Sequence, residues 1–279
     1  MSVTVDQAFI TQFESEVKLA YQQMGSKARN TVRLRTGVVG STARFQKIAT
    51  GAAAQKARHG KVPTMNAVHS YEDATPEDWY AGDWIDKLDL LKLNIDERQA
   101  TAQTGAYALG RKVDSIIFTA ARSGLGAGQK VAGGSAGLNK AKSLAAFELL
   151  NDADVPDDGQ RFCAVGAHQW NELLNIAEFK SSDYVGDKYP WLAGTESKKW
   201  LATVWYLSTQ LTVTSGTRYC IMYHKSAIGL AEGLGITSDF TWHGDYASWF
   251  MNNMLSAGAV RIEDTGVVEI PCDDDATIT

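Results

Sequence analysis

Residues Asn94–Arg122, NIDERQATAQTGAYALGRKVDSIIFTAAR, place Ile95, Ala102, Ala106, Leu109, Val113, Ile116 and Ala120 at successive spacings of seven, four, three, four, three and four. Steps of three and four return to one side of a helix with 3.6 residues per turn, so the run reads as one helix with a single apolar stripe. Asn94 followed by Glu97 supplies a capping arrangement at its start. At 1.5 Å per residue such a helix is roughly 40 Å long, the dominant beam of whatever domain contains it. Gly105 and Gly110 lie inside it, each costing about 1 kcal/mol relative to Ala. They are expected to permit close packing or a bend.

Immediately before the beam the chain is acidic. Thr75-Pro76-Glu77-Asp78 reads as a helix start or tight turn, and DWIDKLDLLKL (83–93) as a short acidic helix with Trp84, Leu88 and Leu91 on one face. Further back the charge reverses. From Val17 to Tyr71 there is no Asp or Glu but ten Lys and Arg, so residues 1–71 carry plus seven and the remainder minus twelve, which the net charge of −5 conceals. A basic segment beside an acidic body serves either to bind a polyanion or to lie across the body of another subunit. Within it, Asp6 to Met24 has an amphipathic helical pattern in Phe9, Phe13, Val17, Ala20 and Met24. From Val32 to Tyr71 short extended runs are punctuated by Gly37, Gly40, Gly51, Gly60 and Pro63, with only Phe45, Ile48 and Val62 to anchor a core. A two-stranded ribbon of that kind is marginal in water and needs a surface to lean on.

Beyond the beam, Gly124 to Gly137 reads as a linker. An α/β lobe follows: a helix over Asn139–Leu150 with Leu144, Phe147 and Leu150 inward, a strand over Arg161–Val165, a helix from His168 to Phe179, and strands in TVWYLST and TRYCIMYH. The run from Ile236 to Ile270 reads as several strands meeting at turns, and the acidic tail Asp273–Asp275 as loose. No repeat of solenoid spacing occurs.

The 279 residues, 44% hydrophobic, can bury a sizeable core and are not those of a disordered chain. Three cysteines, Cys163, Cys220 and Cys272, are an odd number in scattered contexts, which argues for a reducing compartment rather than a disulfide framework. No run approaches the about 18 apolar residues of a membrane span, and the N-terminus lacks the pattern of an export signal, so no membrane partner is expected.

The chemical motifs fail on context. SGLGAGQK (Ser123–Lys130) is glycine-rich, but it lacks the Gly-Lys-Ser/Thr of a phosphate loop and follows a helix rather than a strand. Cys220, Met222 and His224 share one face of a strand, and with Cys163 and His168 elsewhere they are candidate metal ligands. Without a Cys-x-x-Cys pair, buried thiols and hydrogen-bonded imidazoles explain them better. His243-Gly244-Asp245 reads as a turn, and no nucleophile signature is present. No catalytic, cofactor or metal site is expected, and the protein is read as not an enzyme. The basic segment has only Tyr21, Phe45 and Tyr71 for base stacking, which leaves non-specific phosphate contact by Lys27, Arg29, Arg33 and Arg35 as the alternative function, a DNA-binding protein.

Taken in order, these segments resemble the major capsid proteins of tailed bacteriophages, with the fold named for phage Hong Kong 97. The strings QAFITQFESEVKLAYQQMGSKARNTVRL, GSTARFQKIATGAAAQKARHG, DWYAGDWIDKLDLLKLNIDERQ and TWHGDYASWFMNNMLSAGAVRIEDTGVVEI resemble a podovirus-type group of these proteins. The resemblance implies an α+β fold with an N-terminal arm (1–36), an extended β-hairpin E-loop (37–70), a peripheral P-domain with a spine helix (71–136 and 236–272), an axial A-domain (137–235) and an acidic tail (273–279). It implies self-assembly into pentamers and hexamers of an icosahedral shell around double-stranded DNA, assembled in the host bacterial cytoplasm and located in the virion. A separate scaffolding protein, a portal and a decoration protein are implied partners, with only non-specific contact to packaged DNA. The expected latch between subunits is Arg44, Lys47, Lys56, Arg58 and Lys61 of the E-loop over a neighbour's Asp83, Asp86 and Asp89.

Overall fold

The computed structural model describes residues 22–86, 97–134, 136–180 and 197–276. The helix expected over Asp6–Met24 falls almost wholly outside them, as do Asp89 and the second half of DWIDKLDLLKL. The described chain begins along a sheet edge as β1 (Arg33–Thr36), forms a hairpin of β2 (Ala43–Ile48) and β3 (His69–Ala74), and continues into β4 (Glu77–Asp86). The long helix α1 (Glu97–Arg122) comes next. Then follow α2 (Lys140–Asp152), β5 (Arg161–Val165), α3 (Ala167–Asn175) and a single turn, α4 (Ala177–Lys180). Strands β6 (Ser197–Trp200), β7 (Thr203–Leu207), β8 (Val213–Thr214) and β9 (Thr217–His224) lead to a long hairpin of β10 (Ile228–His243) and β11 (Ser248–Arg261), and β12 (Val267–Asp273) ends the fold.

Two sheets share one core. The first has the order β1-β10-β11-β4, with β1 parallel to β10 and the rest antiparallel. The second runs β12-β9-β5-β7-β6, with β8 on β9, and β5 lies parallel to β7. Apolar residues of α1 (Leu109, Val113, Ile117, Phe118) join one buried cluster with residues of both sheets. In the second sheet Trp205 is fully buried, with Phe179 edge-on to it at 6.4 Å and to Trp200 at 5.6 Å, the offset geometry that aromatic quadrupoles favour. Arg122, at the end of α1, donates to Glu269 at 2.5 Å and lies 3.7 Å over the Tyr219 ring, which ties the beam to β12 and β9.

The acidic helix expected over 83–93 is corrected: Asp83–Asp86 are the last residues of β4, paired from Asp86 opposite Ser248 to Glu77 opposite Ala257. The alternation of Trp79, Ala81 and Ile85 with exposed Tyr80 and Trp84 is a strand signal that the carboxylates obscured. Residues 228–243 form one continuous strand that crosses the expected division after Gly235, and β12 pairs with β9 in the second sheet rather than joining the first. Leu144 faces solvent; Lys142, Ser143, Ala146 and Leu150 are the buried side of α2. The C-terminal segment is also tethered: Asp274 accepts from Arg218 at 2.8 Å and from Gln169 at 2.8 Å.

On α1 the buried arc is rotated from the expected stripe. Leu109 and Val113 are in it, but so are Gly105, Gly110, Asp114, Ile117, Phe118 and Ala121, whereas Ile116 and Ala120 line an open groove against β11. The cause is that α1 is covered from two directions, by the sheet and by the chain entering at residues 22–32. Both glycines are close-approach sites. A Cβ on Gly110 would lie 2.6 Å from the backbone of Gly25, and one on Gly105 would meet the side chain of buried Asn253.

Candidate assembly surfaces

The entering segment is fastened at three places before the chain reaches the hairpin. Asp114, fully buried on α1, accepts hydrogen bonds from the backbone N–H groups of Ala28 at 3.0 Å and Lys27 at 3.1 Å, from Gln23 Nε2 at 2.6 Å and from the Ser26 hydroxyl. A carboxylate with that many donors satisfies its buried charge without a cation. Thr31 Oγ1 meets the Tyr223 hydroxyl at 2.5 Å, which meets Tyr206 at 2.7 Å, and burial raises both phenols above their ordinary range. Arg29 makes a two-pronged pair with buried Glu232 of β10 at 2.7 Å. Residues 23–36 thus bind α1, the second sheet and the first sheet together.

From this anchor β2 and β3 project. The base of their ribbon packs Ala43, Phe45 and Ala74 on Ala231 and Ile262, and the Phe45 ring lies over Gly229, where any Cβ would come within 2.8 Å. The tip is different. Residues 49–68 have no strand or helix, and nearly all are exposed, including the apolar Val62 (75%), Met65 (62%) and Val68 (67%). Ile48 and Val62 therefore do not anchor a core, because the ribbon leaves the body of the chain. A turn closed by Gly60 N–H to the Ala57 carbonyl at 3.0 Å, with His59 at positive φ, puts Arg58 at the extremity.

The expected latch residues separate into two groups. Arg44 is bound within its own ribbon: both guanidinium arms reach Asp73, at 2.9 and 3.0 Å, and the group lies 3.6 Å over the Tyr71 ring. The bond from Arg44 holds the Asp73 carboxyl below the usual aspartate range. Lys47 donates to the Ile262 carbonyl at 2.8 Å, with Glu72 at 3.6 Å. Lys56, Arg58 and Lys61 stand exposed and meet no partner among the described residues. Asp83 and Asp86 are exposed on β4, Asp83 accepting from the Trp84 N–H at 2.8 Å, while Asp89 lies outside the described residues. Of the arm cations, Arg29 is consumed by Glu232, Lys27 donates to the Leu207 carbonyl at 3.2 Å, Arg35 donates to the Arg44 carbonyl at 2.8 Å, and Arg33 lies 5.7 Å from the Phe45 ring centre. These are internal structural roles, and nothing in them favours phosphate binding.

The cysteine and histidine candidates also have internal roles. His224 contacts Ser226 Oγ at 2.7 Å and Asp158 at 3.1 Å, and its hydrogen bond lowers the Asp158 carboxyl. Cys163, Cys220 and Cys272 are free and buried, and burial pushes the Cys163 thiol well up, away from reactivity. His168 contacts the Ala276 carbonyl at 2.9 Å and Glu172 at 3.5 Å. SGLGAGQK passes from the end of α1 into a 3-10 turn over Ala127–Gln129, and Lys130 then bridges to Glu269.

Sequence reading missed the end of the β10–β11 hairpin. There Trp84 of β4 contacts Phe250 at 4.7 Å, Tyr246 at 4.9 Å and His243 at 5.1 Å between ring centres, and Phe240 stacks on Trp249 at 4.7 Å. The signal is the density of aromatics in DFTWHGDYASWF (239–250), whose alternate positions share a face once the segment pairs as a hairpin.

The family model described as phage capsid protein matches residues 5–274 of this chain. Comparison with curated proteins gives no match. Among solved structures, the chain is similar to one from Mycobacterium phage Che8 at 19% identity and TM-score 0.71, covering 96% of this chain and 98% of that one. It is similar to the capsid of the cyanophage P-SCSP1u at 17% identity and TM-score 0.71, covering 97% and 94%, and to the capsid of Ralstonia phage GP4 at 13% identity and TM-score 0.71, covering 98% and 97%. At these identities the likeness is one of fold, and it spans nearly the whole of each chain.

Proposed function

Because this chain belongs to the phage capsid protein family and is a structural major capsid protein of a tailed-phage head shell, we propose that its copies close that shell by laying the β2–β3 ribbon of one subunit over the acidic strand β4 of the next. The observation that carries this reading is the unsatisfied ribbon tip: Lys56, Arg58 and Lys61 without partners among the described residues, beside solvent-facing Val62, Met65 and Val68. Asp83 and Asp86, exposed on opposite sides of β4, are the receiving carboxylates, and Asp89 lies outside the described residues. Arg44 and Lys47 hold the ribbon's stance from within and do not reach outward.

Each exposed pair contributes only about 0–1 kcal/mol, so a single latch is weak. Repetition at symmetry-related edges of pentamers and hexamers supplies avidity, and weak individual contacts let misplaced subunits leave before closure. Residues 1–36 act as the arm and α1 as the spine of a peripheral domain, with the second sheet as the axial domain. A scaffolding protein, portal and decoration protein act on the shell, which is assembled in the bacterial cytoplasm around space for double-stranded DNA. The test is the double variant Arg58→Glu, Lys61→Glu: shells are lost while the circular dichroism of the dispersed subunit is unchanged, and Asp83→Lys, Asp86→Lys in the same chain restores them. Normal shells from the first variant would refute the latch.

A further inference from the structure

The outward face of the β4–β11–β10 tip carries an aromatic platform beside the latch carboxylate Asp86. Gly82, Trp84 and Asp86 of β4 lie on one side of the sheet, and pairing puts Phe250 opposite Trp84 and Thr241 opposite Phe250. His243 and Asp239 flank Thr241 at alternate positions and so share that side. Gly82 has no side chain there because the Phe250 ring occupies the place: a Cβ would be 2.5 Å from its Cζ. The result is a floor of Phe250 and Trp84 with Tyr246 and His243 at its edge, Trp84 45% and Tyr246 68% exposed, and the carboxylates Asp86, Asp239 and Asp245 around it. Residues 77–86 and 228–260 contain seven Asp and Glu and no Lys or Arg.

We propose that this platform is a receptor for the Arg58 guanidinium of a second copy of the chain, which seats flat on Trp84 and Tyr246 with Asp86 and Asp239 as its counter-charges. The inference rests on the latch reading and adds a recognition pocket to what was a charge match. Ring faces attract cations, and arginine, planar and weakly hydrated, stacks on them better than lysine. This chain already uses the arrangement internally, in Arg44 over Tyr71 at 3.6 Å, Arg122 over Tyr219 at 3.7 Å and Lys112 over Trp79 at 3.6 Å. The occupant is another copy for two reasons. Arg58 sits at the apex of an acid-free loop and has no partner among the described residues. The base of its ribbon packs at Ala231, twelve residues along β10 from His243, roughly 40 Å from the platform.

The test joins the two points by cysteine substitution in the full-length chain, Ala57→Cys with Asp245→Cys, leaving Arg58 and the aromatic rings in place. The native thiols are buried, so a copper-catalysed dioxygen oxidation of assembled shells addresses only the new pair. Reducible covalent oligomers are expected from the double variant and not from either single one. Shells that assemble but do not cross-link would overturn the receptor while leaving the shell function intact. As a second measurement that needs no assembly, a peptide of residues 49–68 is titrated onto dispersed full-length subunits. Its affinity is expected to fall about 5-fold on Trp84→Leu, in keeping with one cation–π contact. Equal affinity for both proteins would overturn the receptor.

Discussion

Asp114 shows how one residue can hold an arm in place. Its carboxylate takes the N–H groups of Lys27 and Ala28, so Asp114→Ala strands buried donors, each costing about 1–3 kcal/mol. The expected outcome is a loss of about 2–4 kcal/mol in denaturant unfolding, with proteolysis beginning in residues 22–32. A neighbouring position tests the packing with an opposite sign from helix propensity. In an ordinary helix interior Gly→Ala stabilises by about 1 kcal/mol. Gly110→Ala is expected to destabilise instead, because its Cβ meets the Gly25 backbone at 2.6 Å, and a raised melting temperature would show that the entering segment does not press on α1 there. Neither effect was legible in the sequence: a mid-helix Asp reads as solvent-facing, and its donors are about 90 positions away.

At the scale of elements, the beam, the Arg161–Val165 strand and the TRYCIMYH strand were legible because length and periodicity are local properties. The β4 strand was not, since Asp83 and Asp86 on its exposed positions imitate a helix's polar face and its partner β11 lies far along the chain. Tertiary pairing overrode the local pattern. The tethered C-terminus was missed for the same reason. Burial alone would raise the Asp274 carboxyl, but the hydrogen bonds from Arg218 and Gln169 outweigh it and hold the group below the ordinary aspartate value. A carboxylate lowered in the folded state stabilises above its unfolded pKa, and that contribution is lost as pH falls through its folded pKa. The protection of the amides at residues 272–276, taken relative to the intrinsic exchange rate at each pH, is therefore expected to fall below about pH 4, and Arg218→Ala to lower it at pH 7. Glu172, raised by burial, changes in the opposite sense and does not contribute to release.

For the molecule as a whole, folding and assembly use different residues. The base of the β2–β3 ribbon is part of the core through Phe45, whereas residues beyond the Ala49 N–H to Val68 carbonyl bond contribute almost no buried surface. Replacing residues 50–67 by Asn-Gly leaves a two-residue connection of the kind tight hairpins favour, directly beyond that bond. Closing a shorter loop costs less entropy, by about 0.6 kcal/mol for each halving of length. The shortened subunit is thus expected to be as stable as the full chain or slightly more so, by thermal melting. It should also be less prone to aggregate, having lost exposed Val62 and Met65. In sedimentation it should remain dispersed under conditions where the full chain forms shells. A shortened chain that melts well below the intact one would mean that the ribbon tip supports its own subunit, and the division between a self-sufficient body and a ribbon completed only by neighbours would fail.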